Sequence, residues 1–202
     1  MNFVFAGNGG KKGESVQRYV LTGAPGAGKT TLADALRRRG WSVVAEAATD
    51  VIAAGQARGD DEPWRGVGFV DAVARLQRER REAAGSRGPV QVHDRSPLCT
   101  LALARHLGCP VGPTLAAEVE RVLWEGAYQR PVFLVEPLGF VTRTAARRID
   151  YAESLAFARV HEQVYREHGH ELIAVPPAPV AARVALVEAH LRRLAGLPQG
   201  PG

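Results

Sequence analysis

Short, almost wholly apolar runs alternate along this chain with longer stretches in which apolar residues recur every three or four positions. The short runs are Arg18–Thr22, Ser42–Glu46, Val90–Asp94, Pro131–Val135 and Glu171–Val175. A strand covered on both faces has no polar side to alternate with, so each run predicts a buried strand of a parallel sheet. The longer stretches, at about 29–39, 67–84, 97–107, 114–128, 151–168 and 179–195, carry helical spacing. In the 67–84 stretch, Val67, Val70, Val73, Ala74 and Leu76 mark the face that meets the core. Gly85-Ser-Arg-Gly-Pro89 and Gly169 stop helices just before the third and fifth strands. This alternation predicts one domain over residues 17–195, a three-layer α/β/α sandwich with a five-stranded parallel sheet. Residues 1–16 and 196–202, rich in glycine or proline, are expected to be flexible extensions.

Composition agrees with a single core and narrows the partners. The chain has 202 residues, 46% of them hydrophobic and 23% charged, which excludes a disordered chain and leaves no room for two large domains. The formal charge is +5, yet the three lysines are outnumbered by 23 arginines, many interleaved with acids as in Gln77-Arg-Glu-Arg-Arg-Glu82. That interleaving reads as a solvated helix face and argues against a nucleic-acid partner. Two cysteines, Cys99 and Cys109, cannot build a disulfide framework or a four-ligand zinc site. No apolar run reaches the roughly 18 residues of a membrane span, and Met1–Gly10 lacks the features of a signal peptide. The expectation is a soluble cytoplasmic protein with no membrane partner, and a homodimer is compatible with the chain.

The candidate chemistry begins directly after the first strand. Gly23-Ala24-Pro25-Gly26-Ala27-Gly28-Lys29-Thr30-Thr31 satisfies G-x-x-x-x-G-K-[ST] in full and runs into a helical pattern. Its glycines let successive N–H groups turn inward toward phosphate oxygens, and the following helix adds its positive end. Lys29 would meet the β- and γ-phosphates of a nucleoside triphosphate, ATP or GTP, and Thr30 would give a hydroxyl to Mg²⁺. A phosphate loop alone does not say where the γ-phosphoryl group goes.

Two acids at strand ends narrow that choice, because ligands of an open parallel sheet sit beyond the carboxyl ends of its strands. Glu46 ends the second strand and Asp94 the third. One is expected to place Mg²⁺ and one to orient or deprotonate an incoming hydroxyl, with the assignment between them open. Glu46 has a second reading as a cap or solvent-facing acid. Arg95 could point at the same phosphates or at the substrate. Ser96 before Pro97 reads as a helix N-cap, and His93 as a packed core histidine. Trp64 and Phe69 could stack on a planar substrate or simply pack.

After the fourth strand, Arg143 and Arg147 stand four apart, on one face of a helix, with Arg148 beside them. If this segment, about 138–151, folds over the site, it is a lid that brings positive charge to the transferring group; otherwise it is an exposed basic helix. Arg183, after the proline-rich turn 176–179, could stack on a base or reach a phosphate, or the turn could simply start the last helix.

These residues resemble small P-loop kinases, in particular the AAA-domain family that includes ribosylnicotinamide kinase-like proteins. More distantly they are similar to deoxynucleoside kinases, through the glutamate after the second strand and the Asp94-Arg95-Ser96 triplet after the third. The resemblance implies Glu46 as the base, Asp94 as a metal or base partner and Arg95 as a phosphate or substrate ligand. It also implies Arg143, Arg147 and Arg148 as the lid. The reading is a Mg-NTP-dependent phosphotransferase acting on a small-molecule hydroxyl acceptor of nucleoside-like character. Its rivals are a nucleotide switch working through a protein partner and a kinase of nucleic-acid ends.

Overall fold

Five strands form one sheet in which every pairing is parallel: β1 (Gln17–Thr22), β2 (Ser42–Val44), β3 (Val90–Asp94), β4 (Pro131–Val135) and β5 (Glu171–Val175). The structure is a computed structural model and describes residues 16–138 and 151–198. The spatial order is β2-β3-β1-β4-β5, so β1 is central and β2 and β5 are the edges. Among the described residues, seven α-helices flank the sheet: α1 (Lys29–Arg38), α2 (Ala48–Ala57), α3 (Phe69–Ala84), α4 (Pro97–Leu107), α5 (Pro113–Trp124), α6 (Tyr151–Glu167) and α7 (Val180–Leu194).

Side-chain alternation along the strands creates two cores. Tyr19 and Leu21 of β1, Val90 and Val92 of β3, and Phe133 and Val135 of β4 face α1 and α7, where Leu32, Leu36, Val187 and Leu191 close the layer. Val20 and Val132 face the other way, against α3 to α6 and residues such as Val73, Leu98, Leu115 and Tyr165. The three layers expected from the chain's alternation are therefore present, with one helical layer much thinner than the other.

The thicker layer holds buried charge in pairs. Arg81 of α3 donates to Glu118 of α5 at 2.9 Å and to Glu125 at 3.1 Å, and Arg121 meets Glu118 at 3.1 Å. His93, buried on β3 with its ring edge against Tyr128, has its pKa lowered to about 3 by desolvation and by Arg18 and Arg81. It is a neutral packing residue.

The boundaries differ from the sequence reading in instructive places. β2 stops at Val44, two residues before Glu46. The helix α2 has no counterpart in the sequence reading, because Ala53, Ala54 and Ala57 on its exposed face blur the stripe of Ala48, Val51, Ile52 and Gly55 that meets the core. Trp64 and Arg65 form a 3-10 turn (Pro63–Arg65), and the long helix begins at Phe69 rather than Val67. The helix expected over 114–128 ends at Trp124. At the carboxyl side, Leu197 packs against the α1/α7 core and donates its N–H to the Arg192 carbonyl. Among the described residues no helix is long and apolar enough to cross a membrane.

Candidate active site

The strand order puts the ends of β1, β3 and β2 side by side, and the polar residues that follow them line one crevice. The first wall is the loop 23–28, which closes tightly against the sheet. Gly23, at φ 125°, lies so near β4 that a Cβ would stand 2.4 Å from the Val135 carbonyl oxygen. Gly28, at φ 81°, is the left-handed residue that turns the loop into α1. Any side chain at either position is strained. Ala24 and Ala27 are fully buried, one in each core, so the loop is part of the packed interior. Its helix contributes the unsatisfied N–H groups of a first turn, a ready site for phosphate.

Lys29 is buried and its Nζ donates to the Ala24 carbonyl at 2.6 Å. Burial, and secondarily Arg95, lower its pKa well below the usual lysine value. Thr30 and Thr31 lie exposed at the start of α1. The Thr30 hydroxyl donates to Asp94 Oδ2 at 3.3 Å, while Asp94 Oδ1 is buried with no partner among the described residues. Desolvation raises the Asp94 pKa against the pull of Lys29 and Arg95. An orphaned carboxylate oxygen beside a hydroxyl is what a hard divalent cation requires of a protein when phosphates and waters supply the rest.

Glu46 forms the other wall. Its Oε1 accepts from the Ala48 N–H at 2.6 Å and its Oε2 from the Thr49 N–H at 2.9 Å, so it caps the first turn of α2. The capping that the sequence offers as the second reading of Glu46 is therefore present. Its side chain is 12% exposed and its Oε1 lies 3.9 Å from Arg95 Nε. Burial raises the Glu46 pKa, but Arg95 and the N–H groups of Thr49 and Ala48 outweigh it, and the carboxylate is held below its ordinary range. The two acids are thus pushed in opposite directions.

Arg95 stands between them. It is the single non-glycine residue with positive φ, 80°, among the described residues. Its N–H bonds the Leu21 carbonyl at 3.1 Å and its Nη1 the Gly23 carbonyl at 3.4 Å. Backbone strain at a strand end, between a phosphate loop and an ionised carboxylate, makes Arg95 a candidate functional residue.

Other expected residues are placed differently. Arg183 turns to the back of the loop: Nη1 donates to the Ala27 carbonyl at 2.8 Å, and Nη2 to those of Glu136 and Val175 at 3.1 and 3.3 Å. With both terminal nitrogens on backbone acceptors, it braces the loop from behind. Ser96 precedes α4 but makes no side-chain cap; its hydroxyl shares a 2.6 Å hydrogen bond with Tyr165. Phe69 is in the core, and Trp64 packs against it. Arg143, Arg147 and Arg148, with most of the expected lid, lie outside the described residues.

Three contacts have no counterpart in the sequence reading. Ser154 of α6 donates to the Pro25 carbonyl at 3.2 Å, and His161 of α6 meets the Thr22 hydroxyl at 3.1 Å. Arg80 of α3 reaches the main chain at Glu46. Arg80 stands in the charge run read as solvated; its place three residues after the buried Gln77, on the flank of the core-facing stripe, is the one signal the sequence held.

A strand-to-helix phosphate loop at the end of the central strand, with an acid ending the neighbouring strand, defines a P-loop α/β protein. The profile of the AAA domain family matches residues 18–183, and the chain belongs to that family. Among solved structures, deoxyadenosine kinase from M. mycoides with dCMP bound is similar at 14% identity and a TM-score of 0.58, with 88% of this chain and 100% of that one covered. The NadR protein in complex with NR is similar at 14% identity and a TM-score of 0.67. There 93% of this chain aligns and it spans 53% of the NadR chain. These likenesses concern the fold. No curated protein sequence matches the chain.

Proposed function

We propose that the protein is a phosphotransferase that moves the γ-phosphoryl group of ATP or GTP to a hydroxyl of a small, nucleoside-like molecule. The observation that carries this reading is the second carboxylate: Glu46 stands ionised beside Arg95, facing the crevice that Lys29, Thr30 and Asp94 share. A nucleotide switch has no need of an acceptor-side base. The similar folds of a deoxyadenosine kinase and of NadR with NR bound support the nucleoside-like class.

In this reading Lys29 and the N–H groups at the start of α1 hold the phosphates. The Thr30 hydroxyl and Asp94 fit Mg²⁺ by their donor chemistry. When bound, that ion would neutralise charge that develops on the transferring group. Glu46 accepts the hydrogen bond of the incoming hydroxyl and takes its proton, while Arg95 keeps Glu46 ionised and turned to the crevice. Asp94, drawn toward the neutral form without its cation, suits the metal role better than the base role. On sequence grounds Arg143, Arg147 and Arg148 would close over the phosphates as a lid. Two free cysteines suit a reducing cytoplasm.

The test is to incubate the protein with Mg²⁺, ATP or GTP and a pooled panel of nucleosides, sugars and other small alcohols, and to search by mass spectrometry for a phosphorylated product. A product that Lys29→Ala and Asp94→Asn both fail to make establishes the kinase and names its acceptor class. Bound nucleotide with no product across the panel would move the reading to a nucleotide switch.

A further inference from the structure

We propose that Arg80 is the positioning residue of the acceptor wall: by gripping the main chain at Ala45 and Glu46 together with Asp50, it sets where the Glu46 carboxylate stands. Its catalytic meaning rests on the phosphotransferase reading above; its structural meaning does not.

The Arg80 guanidinium, carried on α3, donates through Nη1 to the Ala45 carbonyl at 3.3 Å and to the Glu46 carbonyl, and through Nη2 to the Asp50 carboxylate. Those two carbonyls lie just beyond the point where β2 stops pairing with β3, at Val44 and His93. The chain leaves the sheet there without a ladder to fix it, two residues before the candidate base. The helix α2 beyond it gives weak hold, since Gly55 is its one fully buried residue and Ala48, Val51 and Ile52 are partly covered. Ala47 anchors the apolar side of this segment in the core. Arg80 anchors the polar side.

The grip passes directly to the carboxylate. Glu46 is oriented by the N–H groups of Ala48 and Thr49, which belong to the same turn that Arg80 holds through Asp50. An exposed Arg–Asp pair alone would contribute little. The two main-chain carbonyls set this arginine apart, because they are the carbonyls of the chain that carries Glu46. A planar guanidinium spans all three acceptors at once, and a lysine ammonium, a single point of charge on a flexible stem, reproduces that in part.

The experiment compares wild type, Arg80→Ala and Arg80→Lys in two readouts: steady-state transfer to the acceptor found by the panel, and amide hydrogen exchange over residues 45–57. For Arg80→Ala, kcat is expected to fall about 10–100-fold, the loss typical of a misplaced catalytic group, with the KM for nucleotide unchanged. Arg80→Lys should recover part of it. The acid limb of the pH–rate profile should move to higher pH as Glu46 loses its hold, a shift that a merely structural role would not produce. Exchange should quicken over 45–57 and stay at wild-type rates in the loop 23–31. An unchanged kcat and acid limb would overturn the proposal, as would exchange that quickens throughout the molecule in both variants. If the wild-type protein phosphorylates nothing, the phosphotransferase reading falls and exchange alone decides: quickening confined to 45–57 upholds the grip, and unchanged rates there sink it.

Discussion

The two walls of the crevice are anchored very differently. The phosphate wall grows from β1, which is paired on both sides, and its loop carries Ala24 and Ala27 into the two cores. Arg183 braces it from behind, Arg95 and Ser154 from the flanks. The acceptor wall hangs from a three-residue edge strand and a helix with one buried residue, tied back by Arg80. One wall is part of the hydrophobic core and the other is tethered to it. A nucleotide site of this kind cannot shift without disturbing the fold, whereas the acceptor side can change shape at small cost to stability.

The largest effect expected from that difference is a split between binding and transfer. Lys29→Ala should abolish measurable nucleotide binding and lower transfer by about 100–1000-fold, as removal of a principal charge stabiliser does. Asp94→Asn should bind nucleotide but lose its Mg²⁺ dependence. Glu46→Gln should leave nucleotide affinity intact and suppress transfer. Titration with a fluorescent nucleotide alongside the product assay separates these outcomes, and Glu46→Gln binding nucleotide as poorly as Lys29→Ala would erase the distinction between the walls.

Next comes Arg183→Met, which keeps the buried stem and removes the brace. The carbonyls of Ala27 and Glu136 lose their donor, and that of Val175 keeps only the Glu136 N–H. Unsatisfied buried acceptors of this kind cost about 3 kcal/mol in all, or about 10 °C in melting temperature for a chain of this size. Because the loop is core, unfolding should stay a single cooperative step at a lower temperature. A loss confined to nucleotide affinity, with the melting temperature unmoved, would show that the loop is separable after all.

How much of this was legible in the sequence tracks the same division. The phosphate wall is built from neighbours in the chain, so its motif announces itself: Gly23, Gly28, Lys29 and Thr30 each answer to a local geometric or chemical need. β1, β3, β4 and β5 were equally legible, the central three and the edge strand β5 alike, as short runs set off by Gly- or Pro-containing breaks. The acceptor wall was not, because alanines on both faces of α2 blur its stripe and the carbonyls just past β2 are taken by Arg80, 34 residues downstream of Glu46. Arg183 lay beyond local reasoning for the same cause. Its three partners come from the loop and from the ends of two strands, and only the folded sheet brings them to one place.

The strand that the walls share supplies a prediction in pH. His93 of β3 is held neutral down to about pH 3, against an ordinary value of 6.5, because burial disfavours its charged form first and Arg18 and Arg81 next. The unfolded chain therefore binds a proton that the folded chain refuses between those two values, and stability falls as pH drops through 6.5 toward 3. By pH 5 the loss amounts to about 2 kcal/mol. Denaturant titrations at pH 7.5 and pH 5 should show it, and His93→Leu should flatten the difference. Since β3 pairs with both β1 and β2, acid should loosen the walls together; acid exchange confined to residues 45–57 would mean that another group governs the acceptor wall.

The smallest effect, and the most local, is expected from Gly55→Ala. In the middle of a helix this change ordinarily stabilises by about 1 kcal/mol. Here a Cβ on Gly55 would stand 2.4 Å from Pro63 Cγ and 2.7 Å from its Cβ, and a proline ring cannot turn aside as a long side chain would. Overpacking of that kind costs about 1–3 kcal/mol, so the penalty outweighs the gain in helix propensity by about 1 kcal/mol. The relief must come from the 3-10 turn at Pro63–Arg65 moving off α2, which carries Trp64 with it and leaves the loop 23–28 where it was. The acceptor KM should therefore rise while the nucleotide KM stays at its wild-type value. A variant that instead melts higher than wild type would show that α2 and the turn already have room to part, and that the acceptor wall is looser than its contacts imply.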